Sequence, residues 1–135
     1  MKRYIVAMMV AAALIMSSAA FGRQVKSGGA RVDRAVVQFT ESVKLLDVML
    51  KGEYLFVHDD EKMAQGLPCT YVYAHDKGKQ GRLVASFHCI PVQKSDKAER
   101  FTVVVEWNAV ANLPELVEYR FAGSNEGHKV PKQTE

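Results

Sequence analysis

A chain of 135 residues with a formal net charge of +3 holds one domain's worth of core once a leader is removed. Taking Lys2 and Arg3 away with that leader leaves 16 basic residues against 15 acidic, a balance that argues against a nucleic-acid partner. The two cysteines, Cys69 and Cys89, exclude a multi-disulfide scaffold and, in an exported protein, predict one disulfide.

The chain opens MKRYIVAMMVAAALIMSSAAFG, with Lys2 and Arg3 ahead of an apolar run from Tyr4 to Met16 and then a patch of small residues. This is the three-part pattern of a secretory signal peptide. The apolar run is shorter than the ~20 residues of a spanning helix, so cleavage is expected, after Ala20 or after Gly22, and no membrane span after it. Residues 23–34, "RQVKSGGARVDR", are polar with a Gly-Gly pair and read as a flexible lead-in.

From Ala35 the texture turns to strand. "AVVQFTESV" is rich in β-branched and aromatic residues, and "VKLLDVML" slips its apolar phase between Leu45 and Leu46, predicting a bulge or break. Lys51-Gly52 then reads as a hairpin turn into "EYLFVH". "DDEKMAQG" is the one good helix in the mature chain: Asp59 or Asp60 caps it, acids fill its first turn and Gly66 stops it.

"CTYVYAH" and "RLVASFHCI" flank the loop "DKGKQG". A hairpin centred on Lys79 sets Cys69 opposite Cys89, Tyr71 opposite Phe87, Tyr73 opposite Ala85 and His75 opposite Leu83, which makes this row the core-facing stripe. Directly opposed Cα atoms come close enough for a disulfide. After Pro91, "VQKSDKAE" reads as a charged connection, "RFTVVVEW" and "ELVEYRFA" as strands around the loop "NAVANLP", and "GSNEGHKVPKQTE" as a tail.

Frequent turns and short strands predict an all-β fold, a small antiparallel β-sandwich or barrel of about six or seven strands with one short helix, preceded by a signal-peptide helix. The expected domains are a signal peptide at 1–22, the lead-in at 23–34, a single β-domain at 35–122 and a C-terminal tail at 123–135.

The segments "LKGEYLFVHDDEKMAQGLPCTYVY", "SFHCIPV" and "LVEYRFAGSNEGH" resemble a group of short exported bacterial proteins of acidobacterial type, with the likeness covering about residues 40–130. It implies an exported β-domain and carries no activity. A wider similarity to exported β-sandwich proteins with a Leu-Pro-Ala-Gly-x-Tyr turn rests on Leu50-Lys51-Gly52-Glu53-Tyr54, which lacks the proline and is one residue shorter.

Candidate metal donors are His58, Met63, His88 and His128. No Cys-x-x-Cys, His-Glu-x-x-His or calcium-loop spacing occurs, but an exported His/Met set suits copper, provided that the strand of His58 neighbours that of His88. Oxidised cysteines leave the donor list. The bland alternative makes His58 a strand end, Asp59–Glu61 a helix start, Met63 a packing residue and His88 a sheet-face residue.

Catalytic candidates are weaker. His88 and Cys89 are adjacent and point to opposite faces of a strand, and neither Ser86 nor Ser124 sits in a Gly-x-Ser-x-Gly elbow. The basic tip of Lys77, Lys79 and Arg82 reads as solvated, and Trp107 as a core plug.

The resulting expectation is a non-catalytic binding or structural domain, periplasmic or secreted, whose partner at the bacterial envelope is a protein or ligand and which needs no cofactor. A copper-type metal protein is the alternative, and an envelope hydrolase the weakest third.

Overall fold

The computed structural model describes residues 31–133; the expected signal peptide and most of the lead-in lie outside the described residues. Eight strands form the domain: β1 Val32–Leu45, β2 Val48–Asp59, β3 Thr70–Asp76, β4 Lys79–Phe87, β5 Ile90–Gln93, β6 Thr102–Asn108, β7 Leu113–Arg120 and β8 Glu126–Lys129. One short helix, α1 (Asp60–Ala64), follows β2. The fold is all-β, as expected. The sheet curls into a half-barrel, and it is mixed, because β1 and β7 meet in parallel at Lys44 and Glu115.

The first hairpin turns elsewhere than at Lys51-Gly52. β1 reverses at Leu46-Asp47, with Leu46 at φ 55°, and β2 runs straight through Lys51-Gly52. The slipped phase at Leu45 and Leu46 therefore marks the turn itself. Gly52 serves a bulge: Phe39 pairs with Gly52 and Val43 with Leu50, so Thr40, Glu41 and Ser42 face Lys51 alone. At φ 102°, Gly52 takes a backbone conformation that a side chain disfavours. The Tyr54 hydroxyl, accepting from the Lys51 N–H at 3.1 Å and donating to its carbonyl at 3.2 Å, holds the kink.

α1 forms where the acids predict it. The Asp59 carboxylate accepts from the N–H groups of Glu61 and Lys62, a cap that contributes about 1 kcal/mol. The helix ends at Gln65 and Gly66.

The strand order is β4-β3-β2-β1-β7-β8-β5, with β6 paired to the outer edge of β7. β4 and β5 stand at opposite ends of this path, but only His88 and Cys89 separate them in the chain. Two residues span too little distance to connect the ends of a flat seven-strand sheet. The sheet has to curl, and its two ends meet along a seam.

Inside the curl lies an aromatic core. Phe56 is fully buried and packs its ring 5.4 Å from Phe101, 5.5 Å from Tyr119 and 6.4 Å from Phe39, centroid to centroid. Leu45, Leu50, Val72 and Leu116 fill the space around these rings. Each such side chain contributes roughly 1.5–3 kcal/mol by leaving water.

The β3–β4 pairing corrects the expected register. Thr70 pairs with Phe87, Tyr71 with Ser86 and Val72 with Ala85, with irregularities on either side of Tyr73. The buried residues of β3 are accordingly Thr70 and Val72, while Tyr71 and Tyr73 are only half-buried. A slip of one residue exchanges the faces of a strand.

The expected tail also differs. Residues 126–129 form β8, which pairs with β5 on one side and with β7 on the other. Gly127 makes the crossing possible: a Cβ there would lie 3.0 Å from Lys94 Cε and 3.2 Å from the Glu118 carboxylate, and these two side chains form an ion pair of 2.9 Å across β8. β1 likewise begins at Val32, inside the expected lead-in.

Candidate functional site

The seam gathers the reactive side chains. β3 starts beside Cys69, β2 carries His58 one residue before its end and β8 carries His128, whose register partners are Tyr119 on β7 and Pro91 on β5. Cys69 and Cys89 form the disulfide, with Cα atoms 6.2 Å apart. It forms despite the slipped register because Cys89 lies beyond the end of β4. The Cys69 N–H donates to the Phe87 carbonyl at 3.2 Å, and the chain then turns out of the ladder, carrying Cys89 back over Cys69. The Cys89 N–H points at the Cys69 sulfur, 3.1 Å away.

Both imidazoles are packed against this bond. His58 is 1 % exposed and His128 3 % exposed, and their ring centroids lie 4.1 Å apart. His128 also stacks on Tyr119 at 5.0 Å. The Tyr119 hydroxyl bonds to the Thr70 hydroxyl, so side chains from β3 and β7 tie the seam where backbone ladders do not.

Each histidine turns one nitrogen toward a carboxylate. His58 Nδ1 is 3.3 Å from Asp60 and His128 Nε2 is 3.8 Å from Glu126. The other nitrogens face inward. His128 Nδ1 lies 3.7 Å from the Cys89 sulfur, and His58 Nε2 is buried with no hydrogen-bond partner. A nitrogen of His58 and the two sulfurs lie within 4.8 Å of one another. An unpaired buried polar atom costs roughly 1–3 kcal/mol, so the seam carries a deficit that a ligand could relieve.

The electrostatics follow from burial. Desolvation, and then the neighbouring His58, push His128 down to about 4, leaving it a neutral lone-pair donor at neutral pH. Burial, with the Thr70 bond opposing it, holds the Tyr119 phenol protonated well above its ordinary range.

Of the four expected metal donors, the structure brings His58 and His128 together. Met63 is half-buried and packs against the hydrophobic core. His88 is exposed on the link between β4 and β5, since it alternates with the inward-facing Phe87 and Cys89. Sequence reasoning passed over Tyr119 and Thr70, whose only signal was a place in a strand.

Outside the seam, Trp107 is 64 % exposed and does not plug the core. Its strand β6 pairs, among the described strands, with β7 alone, and Val104, Val105 and Val110 are exposed on or just after it. An open cavity of about 780 Å³ lies beside β6, lined in part by Lys44, Glu106, Glu115, Glu118, Lys129 and Lys132. The tip residues Lys77, Lys79 and Arg82 are exposed, as expected. The Ser124 hydroxyl is used within its own turn, accepting from the Glu126 N–H at 3.0 Å.

No helix among the described residues is long and apolar enough to cross a membrane. Comparison with family models, curated proteins and solved structures finds no match to the chain.

Proposed function

We propose that the protein is an exported, non-catalytic binding domain of the bacterial envelope that takes an extended polypeptide segment along the free edge of β6. The observation that carries this reading is Trp107, 64 % exposed on an edge strand with Val104 and Val105 also exposed. An edge strand offers a row of backbone donors and acceptors that an added strand can satisfy. Exposed tryptophan beside such an edge is a favoured anchor for a partner. Export is supported by the leader sequence and agrees with the Cys69–Cys89 disulfide. A non-catalytic role is supported by the burial of His58 and His128, which leaves both imidazoles without access to a substrate in this conformation.

A displayed library of extended peptides, selected on the purified protein, tests the reading. Enriched peptides of alternating apolar residues should shift Trp107 fluorescence and protect β6 amides from hydrogen exchange. Val105→Lys, which places a charge on the edge, should abolish both effects. Peptides that protect only amides outside β6, or a selection that enriches nothing, would overturn it.

A further inference from the structure

We infer that the Cys69–Cys89 disulfide is a redox gate over a buried Cys2His2 metal site, in which His58, His128 and the two reduced cysteines hold a zinc-type divalent ion. The inference is independent of what the β6 edge binds.

Three observations converge on it. Firstly, the donor types are those of closed tetrahedral zinc sites, two thiolates and two imidazoles. Secondly, three of the donors are already gathered, one nitrogen of His58 and both sulfurs lying within 4.8 Å of one another, and the fourth, His128, has its Nδ1 3.7 Å from the Cys89 sulfur. Donors around tetrahedral zinc stand about 3.5 Å apart, as follows from metal–ligand bonds of ~2.0–2.3 Å, so closing His58 and the two sulfurs on an ion asks for side-chain movements of about an ångström, and His128 joins them from the Cys89 side. Thirdly, the unpartnered Nε2 of His58, buried at 1 % exposure, is what a metal ligand looks like before the metal arrives.

The outer contacts suit the same role. Asp60 at 3.3 Å from His58 Nδ1 and Glu126 at 3.8 Å from His128 Nε2 place a carboxylate behind each imidazole, the arrangement that orients metal-binding histidines and raises their basicity.

As a disulfide, the sulfurs lack the thiolate charge that binds zinc, so the gate is closed. A dithiol reductant opens it in two exchanges. Its first thiolate attacks the Cys89 sulfur and Cys69 leaves as a thiolate that takes up a proton. The second thiol of the reductant then displaces Cys89, which is protonated in turn. The reductant emerges as a disulfide, having given two electrons and two protons. Zinc binding to the pair of thiols and two neutral imidazoles then releases two protons to solvent.

Cobalt(II) tests this directly, because its visible bands report tetrahedral geometry and its near-ultraviolet charge-transfer band reports thiolate ligands. The purified protein, reduced anaerobically with a phosphine, should bind one equivalent with both signatures and exchange it for zinc, while the oxidised protein should show neither. Asp60→Asn leaves a half-exposed surface position and should weaken cobalt binding about tenfold by loosening His58. His58→Gln should weaken it further. A reduced protein with no thiolate-to-cobalt band, an oxidised protein that binds cobalt equally, or an Asp60→Asn variant with unchanged affinity would overturn the site.

Discussion

The seam and the β6 edge concentrate opposite kinds of chemistry. At the seam, polar and sulfur-bearing side chains are buried and almost all of their groups have partners within the domain. At the edge, apolar side chains are exposed and backbone groups face outward. The contrast teaches that reactive side-chain types and accessible surface are separated here: the seam holds the half-barrel closed, and the edge is free to meet something else. Substitutions should therefore cost stability at the seam and cost binding at the edge.

The sharpest break in that comparison is Tyr119→Ala. Tyr119 is fully buried, stacks on His128 and bonds to Thr70, and its truncation should lower unfolding free energy by about 3–5 kcal/mol in urea titrations. A loss below about 1 kcal/mol would show that the seam bears little load. Next comes removal of the disulfide: the Cys69→Ala, Cys89→Ala double variant releases a constraint between residues 20 apart and should lose about 3 kcal/mol.

Acid should then weaken the seam without touching the edge. In the unfolded chain His128 takes up a proton near its ordinary value, whereas in the fold it resists until about pH 4. Between those values the unfolded state binds more protons, so stability falls as pH drops from about 6.5 to 4, by roughly 2–3 kcal/mol for this group. The groups facing it are His58, Tyr119 and the Glu126 carboxylate. Denaturation midpoints of the oxidised, metal-free protein across this range measure the effect, and His128→Phe should flatten it. The smallest change is Trp107→Ala, which should move stability by less than about 0.5 kcal/mol. Its tryptophan, being exposed, should also be quenched readily by acrylamide in the wild type.

How much of this was legible in the sequence depends on whether a feature is local. The capped helix after His58 needs only its own residues, and it forms as read. The disulfide partners follow from a count of two. The register around them does not, because the irregularities flanking Tyr73 and the departure of the chain at His88 are set by how the sheet curls. Trp107 reads as core by type, but its strand joins the outer edge of β7, and no residue of β6 announces that. His128 sits in a Gly-rich stretch that resembles a tail; β5 and β7 make it a strand and carry it to His58, seventy positions earlier in the chain. Met63 joins the donor set as a neighbour of His58 in the chain, and His88 on the condition that its strand lies beside that of His58; β3 comes between β2 and β4, and the alternation of Phe87, His88 and Cys89 turns His88 outward.

The two-residue link at His88 and Cys89 also sets a timetable. Because a chain is made from its N-terminus, both cysteines emerge while His128, 39 positions beyond Cys89, is still unmade. Oxidation can rivet the β3–β4 hairpin before β5 to β8 exist, and the second imidazole arrives as the closing piece. A chain cut short before Glu126 would keep its sulfur bond and lose His128, the partner of β5 and the cover over His58 together. Closure of this half-barrel is thus decided at β8, long after the Cys69–Cys89 cross-link has had the chance to form.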